Sequence, residues 1–296
     1  MSGLSAVVRS MPGRLVLLFV ALAALDVACQ LGGGLLVSHT SVSFRDVARL
    51  AAALFLSAAM VAAYRWLVHA LERRNAEELK LEAAGRGLAV GIASGVVLFG
   101  LVYLVLWSLG AATFHGYAGL SGLGRALAVA IASAAGEEIV FRGVVYRLLE
   151  ERLGSTVALI LSAAFFGCAH GANPGATWVS SLAIALEAGI LLGLAYVATR
   201  SLWVPIGLHF GWNFTEGGIF GAAVSGEHAQ GIIAAPLSGS PLVTGGAFGP
   251  EASLAAVAVS LIASALLASW AMRSGAWRGW RRSRVPVPVA AEGRGG

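Results

Sequence analysis

Charge is what this sequence has least of. Only 12% of its 296 residues are Asp, Glu, Lys or Arg, about half the roughly 25% of an ordinary soluble domain. So few charges cannot cover a water-facing surface, and 58% of the residues are hydrophobic. A soluble globular enzyme, a disordered protein and a nucleic-acid-binding domain are thereby excluded. Lysine is nearly missing, with Lys80 alone among the basic residues not an arginine. Cysteine is scarce too: Cys29 and Cys168 both sit inside apolar runs, which rules out a disulfide framework. There is no HExxH zinc motif and no internal repeat of the kind many carriers show.

What remains is an all-α, polytopic transmembrane helical bundle. Apolar runs broken by short polar stretches place about eight spans, near 15–37, 47–70, 88–112, 125–149, 154–171, 177–199, 202–221 and 252–272. The run from Leu15 to Val37 is longer than the apolar part of a signal peptide and carries Asp26, so it reads as a retained first span. With a cytoplasmic N-terminus the inner side holds 17 basic residues and the outer side only Arg45, Arg49 and Arg125. That asymmetry predicts both termini in the cytoplasm. The basic character is therefore mostly topology, and the expected surroundings are membrane lipids and no nucleic acid. Trp277 and Trp280 beside the tail arginines fit an interfacial anchor. Residues 72–86 read as a solvated connector, 222–250 as an outer loop and the last residues as a disordered tail. The expected division is 1–123 with spans one to three, 124–217 as a core of spans four to seven, and 218–296 with the outer loop, last span and basic tail.

Ionisable groups at membrane depth are costly, so they carry most of the information. The first group is Glu137-Glu138-Ile139-Val140-Phe141-Arg142. Glu138 and Arg142, four apart on a helix, share a face and can pair. Glu137 lies about 100° round the helix and is free to point elsewhere. The second is Phe166-Gly167-Cys168-Ala169-His170, with Phe166 and His170 on one face. The third is His209-Phe210-Gly211-Trp212-Asn213, where an imidazole and a carboxamide sit one turn apart. Each alone has a structural explanation as an ion pair or interhelical hydrogen bond. Together they supply a base for activating water and donors for an oxyanion. On straight vertical helices Glu137 lies near mid-membrane, His170 near the outer end of span five and His209 in the inner third of span seven. Bringing them together requires tilted or broken helices. Asp26 and Glu187 are buried-acid candidates outside these motifs; Glu187 is the better of the two, and packing against serine or arginine is the default for both.

The ordered set EExxxR, FxxxH and HxxxN resembles the CPBP (Abi) family of intramembrane metalloproteases, which includes type II CAAX prenyl endopeptidases and bacteriocin-processing or self-immunity proteins. The resemblance covers roughly residues 124–217. It implies peptide-bond hydrolysis within the membrane, acting on a membrane-associated peptide or membrane-protein segment. By position, Glu137 would activate water, His170 would orient it, and His209 and Asn213 would stabilise the oxyanion. Glu138, Arg142 and Phe166 would support them. If a divalent metal such as Zn²⁺ takes part, Glu137, His170 and His209 match a His₂Glu ligand count; a metal-free glutamate mechanism fits the same residues. Composition rich in Ala, Gly and Arg points to a bacterial inner membrane. The alternative is a non-catalytic scaffold or immunity protein, or a transporter-like protein, since intramembrane Glu, His and Arg also mark ion pathways.

Overall fold

The computed structural model describes residues 10–279. Arg9, Trp280 and the tail arginines beyond it, on which the anchor and the disordered tail were read, lie outside the described residues. Among the described residues every regular element is helical. Six stretches are long and apolar enough to cross a membrane: 11–38, 42–72, 81–108, 123–172, 178–199 and 254–273.

Helices α1 (Met11–Ser38) and α2 (Arg45–Glu72) form an antiparallel hairpin. Ser10 caps α1, its hydroxyl accepting from the Gly13 N–H at 3.1 Å, with Pro12 in the first turn. Helix α3 is Ala84–Ser108. The 50-residue stretch that follows is not one rod. It breaks at Gly154, whose φ of 74° suits only a residue without Cβ. The chain then returns, so that Phe141 meets Phe166 edge-on. We call the two parts α4 (123–153) and α5 (155–169). Helix α6 (178–199) starts at a reciprocal cap between Thr177 and Ser180. Helix α7 (203–219) is only 17 residues long, counted from Trp203 to Ile219. After a short α8 (Pro241–Thr244) comes α9 (Leu254–Arg273).

Helix α6 is at the centre. Its most apolar window is 67% buried, against 11% to 28% for α1, α2, α3 and α9. Those peripheral helices turn Leu31, Trp66, Leu104 and Leu266 outward, as lipid-facing helices do. The closest packing is between α3 and α7. A Cβ on Gly91 would lie 2.3 Å from the Val204 carbonyl, and one on Gly95 would lie 2.2 Å from that of Leu208. Glycine at both positions is what lets the two backbones touch. Gly189 and Gly193 likewise pack within the chain, against Ala163 and Leu159.

Three helices widen by one residue: α4 at Ile139–Tyr146, α6 at Ala185–Gly189 and α7 at Phe214–Ile219. Each wide turn lies beside or contains a buried acid: Glu138, Glu187 or Glu216. Widened turns break the regular side-chain periodicity and concentrate at functional places.

The 72–86 segment is not the solvated connector the sequence predicts. Ala76, Glu78 and Leu79 are buried. Arg74 donates to both oxygens of Glu78 at 2.8 and 2.9 Å. The Tyr64 hydroxyl bonds the same carboxylate. Arg147 reaches across to Glu72 at 2.6 Å. The strap also holds the start of α7: the Leu202 N–H donates to the Glu78 carbonyl at 2.8 Å, and the Trp203 indole donates to that of Lys80. Charge density misread this segment because its charges pair inward.

Burial pushes the Glu78 carboxyl up, and the hydrogen bonds from Arg74 and Tyr64 outweigh it, leaving it below the usual carboxylate range. A carboxyl lowered on folding stabilises above its unfolded pKa of about 4.3 and loses that contribution as pH falls through the lower folded value. Wild type is therefore expected to melt well above Glu78→Gln at neutral pH, with the gap closing below about pH 4. Thermal melts of both proteins in detergent across that range check it; a pH-independent gap would contradict the assignment.

The 222–250 segment is likewise more than an outer loop. Val224, Ala235, Phe248 and Pro250 are buried. Isolated bridges tie it to the 109–122 segment at Ala112–Leu237 and Tyr117–Ile233. It folds down as a cap at the end of the bundle where α1 ends and α2 and α4 begin.

Candidate active site

Glu137, His170, His209 and Asn213 all line one cavity of about 520 Å³. Its lining comes from α1, α2, α4, the end of α5, α7 and the cap. The depth mismatch expected from straight spans is resolved by an inset turn. Helix α7 does not begin at the end of the bundle. The strap lifts its start to the level of Gly143, where a Cβ would lie 3.2 Å from Leu202. From Gly143 back to Glu137 is six residues, about 9 Å; from Leu202 to His209 is seven, about 10 Å. The short α5 ends at Ala169, so His170 stops at the same depth.

Glu137 is the most open of the four, with 31% of its side chain exposed. Its Oε2 is buried without a hydrogen-bond partner and faces His170 Nε2 at 3.7 Å, too long for a direct hydrogen bond. The His170 Nδ1–H donates to the Phe166 carbonyl at 2.8 Å. That bond fixes the tautomer and leaves Nε2 as the nitrogen with a lone pair.

Glu138 points the other way and is fully buried. Its Oε1 accepts from Arg142 Nη1 at 2.8 Å and from His209 Nδ1 at 3.0 Å. Arg142 also donates to the carbonyls of Ala188 and Gly189, at 2.9 and 3.2 Å, where the wide turn of α6 ends. The Phe166 ring lies under the Arg142 guanidinium, 4.4 Å from its centroid, and against the His170 ring. The pairing predicted for Glu138 and Arg142 is thus present, and it is what orients His209. With Nδ1 held, His209 turns Nε2 as its free nitrogen. Asn213 Nδ2 donates to Ser133 Oγ at 3.2 Å, which uses one amide hydrogen and leaves the other.

Two acids outside the motifs fall in different places. Asp26, on α1, lines the same cavity. It lies so near Gly136 that a Cβ there would come 2.6 Å from Asp26 Oδ1. Gln30 Nε2 donates to its Oδ2 at 2.7 Å. The sequence carried a signal for it: an acid in an apolar run with a carboxamide one turn on. Glu187 is instead behind the site, accepting from Ser260 on α9 at 3.4 Å. It borders a second void of only about 20 Å³ that also touches Glu251, His170, His209 and Asn213. Ser133 and Ser225, also on the cavity that Glu137 lines, had no signal in sequence.

Among the described residues no three His, Cys, Asp or Glu side chains are gathered so as to hold a metal ion. Glu137, His170 and His209 are therefore not gathered as a ready His₂Glu site, although each imidazole keeps Nε2 free while its Nδ1 is held by a carbonyl or carboxylate, as in metal-ligating histidines; no step is routed through a metal.

Residues 119–215, about a third of the chain, match the family model of the type II CAAX prenyl endopeptidase Rce1-like proteins. The match spans all three motifs and bears out the resemblance they carry. No curated protein and no solved structure matches the chain. The six apolar helices fit an integral membrane protein, and its residues 119–215 are similar to the CAAX proteases.

Proposed function

We propose that the protein is an intramembrane endopeptidase that hydrolyses a peptide bond of a membrane-associated peptide or membrane-protein segment. The observation that carries this is the convergence of a free carboxylate, two imidazoles and a carboxamide on one cavity. Glu137 takes a proton from a water held against His170, and the resulting hydroxide adds to the scissile carbonyl carbon. The oxyanion accepts hydrogen bonds from His209 and Asn213. An imidazolium donates from both nitrogens, so His209 keeps its bond to Glu138 while Nε2 serves the oxyanion. As the C–N bond breaks, the proton on Glu137 passes to the leaving nitrogen. A carboxylic acid and an amine result, and Glu137 is regenerated.

The reading includes eight spans, counting α4, α5 and α7 separately, with both termini in the cytoplasm of a bacterial inner membrane. The division at Gly154 supports it. A pure scaffold or carrier is the less supported reading, since neither needs Glu137 unpaired and facing His170.

His209→Gln and Asn213→Ala are each expected to lower kcat by about 10²–10³-fold with little change in KM, the effect of losing one oxyanion donor. Chelators are expected to leave wild-type turnover unchanged. Steady-state kinetics in detergent check both. A rise in KM at constant kcat, or loss of turnover on chelation with recovery on adding Zn²⁺, would overturn the assigned roles.

A further inference from the structure

The cavity runs from Glu137 to the end of the bundle where α1 ends and α2 and α4 begin, and the charges on the bundle identify the side which that end faces. From the Glu137 floor the walls rise through Ser133, Ala132 and Val129 on α4 to Arg125 near its start. Twelve residues separate Glu137 from Arg125, about 18 Å of helix. The rim is made by Val37, Arg49, Arg125 and Glu227. Two ion pairs stand there: Arg49 with Asp46 at 2.7 Å, and Arg125 with Glu227 at 3.5 Å.

In the other direction the site is closed. Leu18, Leu22, Met60, Tyr64, Ile139 and Val144 lie beneath it and none has exposed surface. Beneath them is the charged strap, with Glu78 buried in it and Arg147 of α4 buried against it. A polypeptide cannot reach Glu137 through that core without unfolding it.

The two ends differ sharply in basic residues. Apart from Arg142 at the site, eleven lie at the closed end among the described residues, from Arg14 and Arg65 through Arg147 and Arg200 to Arg278. Contacts in the structure place them there: Arg14 with Glu151, Arg65 with the Leu79 carbonyl, Arg200 with Glu150. The open end carries Arg45, Arg49 and Arg125. Lysine and arginine set membrane orientation, and acidic residues contribute little, so the glutamates of the strap do not offset this bias.

We infer that the cavity opens to the non-cytoplasmic face and takes an extended peptide or membrane-protein segment presented from that side. The walls suit such a ligand. Ala52, Ala53, Leu56, Ala128 and Val129 offer an apolar lining above a polar floor, and the volume is that of sites which enclose small ligands. Tails that stay in the cytoplasm, and soluble cytoplasmic peptides, are excluded as substrates. The substrate class rests on the hydrolase reading above; the sidedness rests only on the cavity and the charges.

The test needs no catalysis, which keeps failure of the sidedness separate from failure of the hydrolase reading. In the full chain with Cys29→Ser and Cys168→Ser, one reporter is Glu227→Cys at the rim. The other is Lys80→Cys at the closed end, where the native lysine is exposed. A membrane-impermeant maleimide is applied to spheroplasts of a bacterial expression host, before and after lysis. The Glu227→Cys protein is expected to take the label in intact spheroplasts, and the Lys80→Cys protein only after lysis. Labelling of Lys80→Cys in intact spheroplasts, or of Glu227→Cys only after lysis, overturns the inference.

Discussion

Replacing Glu137 by glutamine is expected to lower peptide hydrolysis by about 10²–10⁴-fold, the effect of removing a general base, while the protein still folds. Both halves follow from where the carboxylate stands. Glu137 takes no part in the buried ion pair; Glu138 and Arg142 make that pair without it. It projects into the cavity with its Oε2 towards His170. Glutamine keeps the shape and cannot accept the proton. The variant is expected to elute and melt like wild type while turnover collapses. Normal turnover in a folded Glu137→Gln protein would mean the carboxylate is not the base.

Arg142→Met is expected to behave in the opposite way, failing first in stability. The guanidinium and the Glu138 carboxylate are 1% and 0% exposed. Removing one partner of such a pair costs about 3–5 kcal/mol, because the other charge stays buried and uncompensated. Arg142 also closes two carbonyls on α6 and covers the Phe166 ring, so the loss loosens the joint between α4, α5 and α6. Pairing it with Glu138→Leu removes the stranded charge and is expected to recover much of the stability. Activity is not expected to return, since His209 Nδ1 then lacks the carboxylate that orients it. Denaturation and turnover measured on wild type, the single variant and the double variant separate the two effects. Restored activity in the double variant would show that Glu138 and Arg142 serve packing alone.

Much of this was readable from the residues. Charge poverty and long apolar runs dictate a membrane helical bundle, and the described helices follow the runs closely. The i,i+4 spacing of Glu138 and Arg142 is enough to predict their pair, and it leaves Glu137 free. The depth of the site was not readable. Straight-span arithmetic starts α7 at the end of the bundle, whereas the buried strap around Glu78 starts it level with Gly143. That strap was hidden because Glu72, Arg74 and Glu78 look like a solvated charge run until they are seen to pair with one another and with Arg147 of α4. The three widened turns leave no pattern in hydropathy. Asp26 was visible as a misplaced acid, but only the approach of α1 to Gly136 shows that it reaches the cavity. Glu187, which looked the better candidate, turns to Ser260 instead.

Hydrolysis at Glu137 is tested most directly by mass-spectrometric detection of cleavage across a broad peptide library by purified wild type and by Glu137→Gln in the same detergent. The expected result is a defined set of products from wild type that is missing from the variant. An identical product set from both proteins would contradict hydrolysis at Glu137.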